Sequence, residues 1–315
     1  MSTNVKQICP AHADHISKFK DKFLLQLFNE SEVVVQTKYD GERMLVHFDK
    51  QNTYCTSRRI SKKTGNYMEN QDKIVNLPHL QNLDYTVIDC EFYSNTWSDA
   101  VGILHSLPER AYTLQQTTEI KFAVFDCLFF NGIDVRTQPY KERLKYVKQV
   151  LDMLNYQLHD FRFHFVDQFK VNNIDNAYTI ANEHWSAGKE GIVLKPLSKA
   201  YYDKGMMIKM KRTETVDVVV CGYQKGTGKY ENLIGSLYVG YYDAETNSIV
   251  KISKVNCSTD KERQYWTDNF LKLVNTTVIE VKCQEITDKS LRHPVYVRIR
   301  NDKSVEMCTK DTIFK

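Results

Sequence analysis

The chain has 315 residues, 42% hydrophobic and 26% charged, with a formal net charge of +4 and only 12 Gly and 6 Pro. That length suits one large domain or two ordinary ones, and the composition excludes disordered, collagen-like and low-complexity chains. No stretch approaches the roughly 20 apolar residues a bilayer helix needs, and the N-terminal MSTNVKQICPAHADHISKFK has no apolar core for a signal peptide, so a soluble, intracellular and cytoplasmic protein with no membrane partner is expected.

In chain order, runs rich in β-branched and aromatic residues fall at 33–37, 44–48, 85–92, 120–130, 162–169 and 191–195. Several are continuous instead of alternating, which predicts strands buried on both faces. Pro139 is placed as a first helical residue, with Leu144, Val147, Leu151 and Leu154 following at helical spacing. Residues 173–187 set Ile174, Ala177, Ala181 and Trp185 on one helical face before Gly188. After residue 212 come five short strand candidates, 215–223, 233–242, 248–255, 277–284 and 294–299, interrupted by one helix whose T-D-K-E at 259–262 reads as a capping box. Five short strands and a helix predict a small Greek-key barrel such as an OB-fold, with the boundary at 212/213. The sequence therefore predicts an α+β domain over 1–212 and a barrel over 213–315.

Eight cysteines are scattered without a C-x-x-C pair, which predicts free thiols in a reducing compartment and no zinc site. Basic side chains concentrate in three segments: 57–63 with four and no acid, and 199–212 and 289–303 with five each against one Asp. Three such runs predict a phosphate-binding surface.

Between two strand candidates stands K-Y-D-G-E-R, Lys38 to Arg43. Downstream follow I-D-C-E-F with Glu91, F-A-V-F-D with Phe125, E-G-I-V-L-K with Glu190 and Lys195, M-I-K-M-K with Lys209 and Lys211, and R-N-D-K at 300–303. In order and spacing this set resembles the covalent nucleotidyltransferases, which are ATP-dependent DNA ligases, RNA ligases and mRNA capping enzymes. The resemblance runs from about residue 33 to 310. It implies an ATP-grasp-like nucleotidyltransferase domain of mixed antiparallel sheets and helices, followed by an OB-fold β-barrel.

The chemistry such a set serves is attack by a lysine amine on a nucleotide α-phosphate. At an ordinary pKa of about 10.4, roughly one Lys in a thousand is neutral at physiological pH, a deficit of roughly 4 kcal/mol. Lys209 and Lys211, two apart on one strand, project to one face, where their charge would disfavour protonated Lys38. The resemblance makes Lys38 the nucleophile and Glu190 the metal ligand, for Mg²⁺ with Mn²⁺ able to substitute. It puts Glu91 and Arg43 at the ribose, and Phe125 and Val193 as plates around the base. Gln36 would accept a hydrogen bond from the adenine amino group. Arg58, with Arg59 assisting, would grip the 5′-phosphate of a nick, which suits a planar guanidinium. Arg300 and Lys303, with Asp302, belong to the motif that meets departing pyrophosphate.

The barrel's opening V-D-V-V-V-C-G-Y-Q-K-G-T-G-K-Y and its L-R-H-P-V-Y-V-R-I-R-N-D-K flank favour the ATP-dependent DNA ligases. The implied function is sealing of nicks in duplex DNA through lysyl-AMP and DNA-adenylate, by a monomer. The alternatives are an mRNA capping guanylyltransferase and a catalytically inert nucleic-acid-binding relative. Because Lys38 leaves no room for a preceding helical DNA-binding domain, a minimal ligase of viral, phage or bacterial type is expected, with residues 1–30 or 59–72 holding the duplex. Two departures stand out: Cys90 replaces the glycine expected before Glu91, where it would crowd a passing nucleotide, and Met207 replaces an aromatic.

Overall fold

Continuous apolar runs make strands covered on both sides, and the computed structural model of the chain, which describes residues 8–257 and 259–314, builds two sheets from them in a first unit, Met1–Lys211. The first sheet runs Asp14–His15, Ile208–Lys211, Gly191–Pro196, Val33–Lys38, Gln168–Val171. The second has seven strands, with Thr53–Ile60, Glu42–Phe48, Thr86–Ser94 and Ile120–Phe130 as consecutive neighbours.

Alternation along Val33–Lys38 decides what each side meets. Val33 and Val35 pack with Leu24 and Leu27 of the Asp21–Glu30 helix and with Ala177 and Ala181 of the Ile174–Ser186 helix. Val34 points the other way, into a cluster with Leu45, Val87 and Phe129 of the second sheet. Gln36 and Lys38 share the face of Val34 and so lie on the side turned to the second sheet. The long helix Tyr140–Leu158 covers the far side of the second sheet with Val147, Val150, Leu151 and Leu154.

The second unit, Arg212–Lys315, is a closed barrel in the order Glu214–Lys225, Ile234–Asp243, Ser248–Asn256, Val295–Ile299, Val278–Cys283. Its helix Asp260–Leu273 starts at Thr259 with the expected capping box, Thr259 and Glu262 each satisfying the other's backbone N–H. Trp266 from that helix is buried in the barrel core beside Val218 and Leu237.

Several local expectations are corrected. The 162–169 run is two strands, Phe163–Phe165 and Gln168–Val171, because the chain crosses there from the second sheet to the first. Pro139 is the residue before the helix, which begins at Tyr140. The edge-side strand Thr53–Ile60 and the helices Asp21–Glu30, Trp97–Leu104 and Pro108–Leu114 were not anticipated. Of the 1–30 segment, residues 1–7 lie outside the described residues; Asp14–His15 pairs in parallel with Ile208–Lys209 and the helix Asp21–Glu30 joins the core, so much of this stretch belongs to the fold itself. All eight cysteines are free. Among the described residues no helix is long and apolar enough to cross a membrane.

Candidate active site

Strand register lines the motif residues up. Gly191 pairs with Lys38 on one side and Lys211 on the other, and Val193 pairs with Gln36 and Lys209. Two cross-strand rows result, Lys38–Gly191–Lys211 and Gln36–Val193–Lys209, and Gln168 extends the second row beyond Gln36. Gly191 is required where it stands: its φ is +146°, and a Cβ there would lie 2.1 Å from the Met210 carbonyl oxygen. Gly41 of K-Y-D-G-E-R has a similar reason, since a Cβ would lie 2.1 Å from the Phe92 carbonyl oxygen.

Glu190 holds the first row together. Its Oε2 accepts from Lys38 Nζ at 2.5 Å and its Oε1 is bonded by Lys211. The Lys38 side chain stays 20% exposed, while that of Glu190 is only 5% exposed. Sequence reasoning placed only like charges against the Lys38 amine; the structure adds this carboxylate between the lysines. Lys209, in the next row, has its pKa lowered by burial and then by the charges of Lys211, Lys38 and Arg58, with Glu190 opposing. The Arg58 side chain, whose charge acts on Lys209, is exposed. Arg59 turns away and meets Glu42 at 3.3 Å and the His105 ring at 3.2 Å.

The second sheet supplies the opposing groups. Burial pushes the Glu91 carboxyl up to about 7, against Lys38 and Arg43, which pull it down, while Glu190 adds to the rise. Arg43, across the strand pair from Glu91, grips both oxygens of Asp89 at 2.8 and 2.5 Å and donates to Tyr201 Oη at 2.9 Å and to the Ala11 carbonyl. Its guanidinium also lies 5.2 Å from the centre of the Phe125 ring.

Phe125 itself is the extra residue of a β-bulge: Asp126 pairs with Asp89 and Val124 with Cys90, leaving Phe125 unpaired between them. A bulge re-aims one side chain out of the regular alternation. The ring remains partly accessible within a strand that is otherwise mostly buried.

Behind Phe125 lies a polar network that sequence reasoning missed. Asp126 and Arg143, both 0% exposed, form a two-pronged pair at 2.7 and 3.0 Å. Lys195, 1% exposed, has its ammonium 3.8 Å from Asp126 and 4.5 Å from the centres of the Phe125 and Tyr140 rings. Of these residues Lys195 and Asp126 stood in quoted motifs, but their pairing was not foreseen, and Asp89 was legible only as a carboxylate two before Glu91 on the same strand face.

The expectation for Cys90 is overturned. Alternation turns its thiol away from Asp89 and Glu91 into the core, where it is fully buried and donates to the Met44 carbonyl oxygen. It does not crowd the charged face. Met207 is likewise buried, in the cluster between the two sheets.

In the barrel, Asp217 receives both Arg300, at 2.9 and 2.8 Å, and Lys303, at 2.5 Å, while Asp302 holds the other edge of Arg300 at 2.8 and 2.7 Å. Asp217, Arg300 and Lys303 line a cavity of about 670 Å³ within that unit.

For a divalent cation the chain offers little alone. No group of three or more His, Cys, Asp or Glu converges among the described residues. Glu190 with Glu91 nearby is the hard-oxygen set suited to Mg²⁺, which typically takes one or two carboxylates and completes its shell with phosphate and water.

Comparison with known proteins gives the family. A family model for the ATP dependent DNA ligase domain matches residues 11–211. The DNA ligase of Thermococcus onnurineus is 25% identical over 337 aligned residues, covering 96% of this chain and 57% of that protein, and the DNA ligase of Saccharolobus solfataricus is 23% identical over 329, covering 88% and 53%. The chain thus spans just over half the length of these curated relatives. Among solved structures, one from a structure–function study of Lig E DNA ligases superposes with a TM-score of 0.67 at 19% identity, covering 93% of this chain and 99% of that one. The ATP-dependent DNA ligase of bacteriophage T7 in complex with ATP gives 0.51 at 16% identity, covering 93% and 98%. Both likenesses are of fold: a nucleotidyltransferase domain followed by an OB-fold barrel.

Proposed function

The chain belongs to the ATP-dependent DNA ligase domain family, and from that premise we propose that it seals nicks in duplex DNA through a lysyl-AMP intermediate and a DNA-adenylate. The observation that carries this reading is the Lys38–Glu190–Lys211 cluster, a partly exposed amine set among two further lysines and two carboxylates.

In the first step the neutral Lys38 amine attacks the α-phosphorus of ATP. A P–N bond forms, the P–O bond to pyrophosphate breaks and a proton leaves the amine. Lys211 favours this by directing its charge onto Glu190, which loosens the hold of that carboxylate on Lys38. Lys209 and Lys211 then face the charge that develops on the phosphate oxygens. Mg²⁺ bound by Glu190 together with nucleotide phosphate and water would supply further charge neutralisation at the phosphates.

Phe125 and Val193 hold the base, Gln36 accepts from its amino group, and Arg43 and Glu91 orient the ribose. Arg300 and Lys303 are assigned to the pyrophosphate. In the second step AMP passes to the 5′-phosphate at the nick, gripped by Arg58, and the Lys38 amine is regenerated. In the third the 3′-hydroxyl attacks that phosphate, the phosphodiester forms and AMP leaves. We assign the chain nicked duplex DNA as partner, action as a monomer and an intracellular site of action.

The test is incubation with α-labelled ATP and GTP separately, for the wild-type chain and Lys38→Ala, followed by addition of a nicked duplex. Covalent label from ATP that vanishes in Lys38→Ala, with sealed product, is the expected result. Labelling by GTP alone would make the chain a capping-type enzyme, and sealing by Lys38→Ala would end the nucleophile assignment.

A further inference from the structure

We propose that Tyr140 and Gln168 are positioning residues that lock the side-chain amide of Gln36 with its oxygen toward the nucleotide base, so that the pocket accepts a purine carrying a 6-amino group and rejects one carrying a 6-keto oxygen. The inference rests on the reading of Gln36 as the base contact and supplies what that reading lacks. A glutamine amide is ambidextrous: rotated by half a turn it offers NH₂ where it had offered oxygen, at nearly the same shape. A freely turning Gln36 would therefore satisfy adenine and guanine edges alike, and selectivity would have to come from elsewhere.

The hydrogen bonds around Gln36 remove that freedom. Gln36 is 2% exposed, and its Nε2 lies 2.7 Å from Tyr140 Oη and 2.9 Å from Gln168 Oε1. Tyr140 has one hydroxyl proton. At 2.6 Å its Oη faces the Phe125 carbonyl oxygen, which can only accept, so the proton points there. Lys195 Nζ approaches Tyr140 Oη at 3.4 Å as a further donor. Toward Gln36 the hydroxyl is left with lone pairs alone, and it can only accept. Turning the amide would set Gln36 Oε1 against those lone pairs, an acceptor facing an acceptor inside a buried pair.

Gln168 follows. Its own amide can turn, so by itself it would let the two glutamines flip together; its oxygen faces Gln36 because Tyr140 has already fixed which end of Gln36 is the donor. Both amide protons of Gln36 are then committed. No described residue donates to Gln36 Oε1, and that oxygen is not among the side-chain atoms sealed in the interior without a partner. It remains as one acceptor on the face that carries Lys38 and Lys209. An exocyclic amino group matches it, and a keto oxygen meets it as a second acceptor. Sites that hydrogen-bond a polar group discriminate more sharply than apolar pockets, because the mismatched partner leaves buried groups unpaired.

The experiment measures the rate of covalent labelling by α-labelled ATP and by α-labelled inosine triphosphate, whose base carries the 6-keto oxygen without the 2-amino group of guanine. For the wild-type chain the ATP rate should exceed the inosine triphosphate rate by at least ~100-fold. Tyr140→Phe keeps the ring over Lys195 and leaves the Phe125 carbonyl with Lys195 as a donor at 3.2 Å, so its ATP labelling should persist while the ratio falls at least ~10-fold. Adding Gln168→Glu to Tyr140→Phe should restore the ratio, because a carboxylate only accepts and so forces the Gln36 amide back. A residue needed only for packing would not produce that rescue.

A ratio unchanged in Tyr140→Phe, or no recovery in the double variant, overturns the proposal while leaving the function standing. Equal labelling of the wild type by the two nucleotides overturns it without any variant. Absence of labelling by either nucleotide removes the functional reading and this proposal with it.

Discussion

Replacing Lys195 by methionine tests whether a charge is held at a cost beneath the Phe125 ring. Burial lowers the Lys195 pKa from 10.5 to about 7, Asp126 and Asp89 working against the shift and Arg143 and Arg43 with it. The geometry explains why Asp126 does not cancel the burial: it stands 3.8 Å away, and both its oxygens already take Arg143. At about 1.36 kcal/mol per pH unit, the depressed value amounts to a ceiling of about 5 kcal/mol against folding. Below about pH 7 the lysine is charged in both states and the folded protein bears the whole cost. Between about 7 and 10.5 the unfolded chain still binds the proton that the folded chain has released, so stability rises with pH, and above 10.5 the cost is gone. Methionine keeps the length and sits well against the two aromatic rings, and Asp126 stays paired with Arg143. Urea unfolding of both proteins from pH 7 to 9 should show the wild type gaining on Lys195→Met by about 2–3 kcal/mol. A difference that stays flat, or that shrinks as pH rises, would refute a buried lysine titrating near neutrality.

Four further outcomes follow from other parts of the structure. Gly191→Ala places a methyl group on the Met210 carbonyl oxygen and must break the pairing that sets Lys209 and Lys211 beside Lys38; covalent labelling by ATP should fall at least ~100-fold, read by gel, and near-normal labelling would contradict the register. Arg58→Ala should leave labelling by ATP intact while sealing of a nick falls ~10-fold or more in single-turnover assays, and loss of both together would make Arg58 a nucleotide contact. Asp217→Asn removes the one carboxylate shared by Arg300 and Lys303, so thermal unfolding of the barrel should shift down, whereas Asp302→Asn, whose carboxylate is 65% exposed, should shift it little. Affinity for a nicked duplex should drop at least ~10-fold between 50 and 200 mM salt, and a flat titration would count against phosphate contacts as the source of binding.

What could be read from the sequence is what depends on local spacing. Lys209 and Lys211, or Gln36 and Lys38, share a face because strands alternate, and once the strands were recognised the face followed. The capping box at Thr259 and Glu262 is local too, and its helix was expected in the right place. The partners of Arg43, Arg143 and Lys195 were hidden for the opposite reason. Asp89 is 46 residues from Arg43, and Lys195 is 55 from Tyr140, and nothing in either neighbourhood names the other. Cys90 was misjudged from its position beside Glu91: adjacency in sequence is opposition across a strand, so the residue next to a site residue is the one turned from the site.

The bulge at Phe125 shows how the hidden part governs the legible part. A regular strand would align Phe125 with one face by parity, but one extra residue against Asp89 and Cys90 releases it from that rule, and only the register of two strands reveals the change. An unpaired residue gains freedom as well as a new direction, so something must hold it. Its carbonyl accepts from Tyr140 and from Lys195, and the charges of Lys195 and Arg43 lie 4.5 and 5.2 Å from the centre of its ring. Each of those holders is fixed in turn, Lys195 near Asp126 and Arg43 by Asp89 and Tyr201. The buried ions are thus arranged around a single irregular residue of the second sheet, and the same hydroxyl that holds its carbonyl also orients Gln36 on the first. Tyr140 therefore couples the two sheets, and under the proposed role of Gln36 its loss should alter the choice of nucleotide more than the rate with ATP.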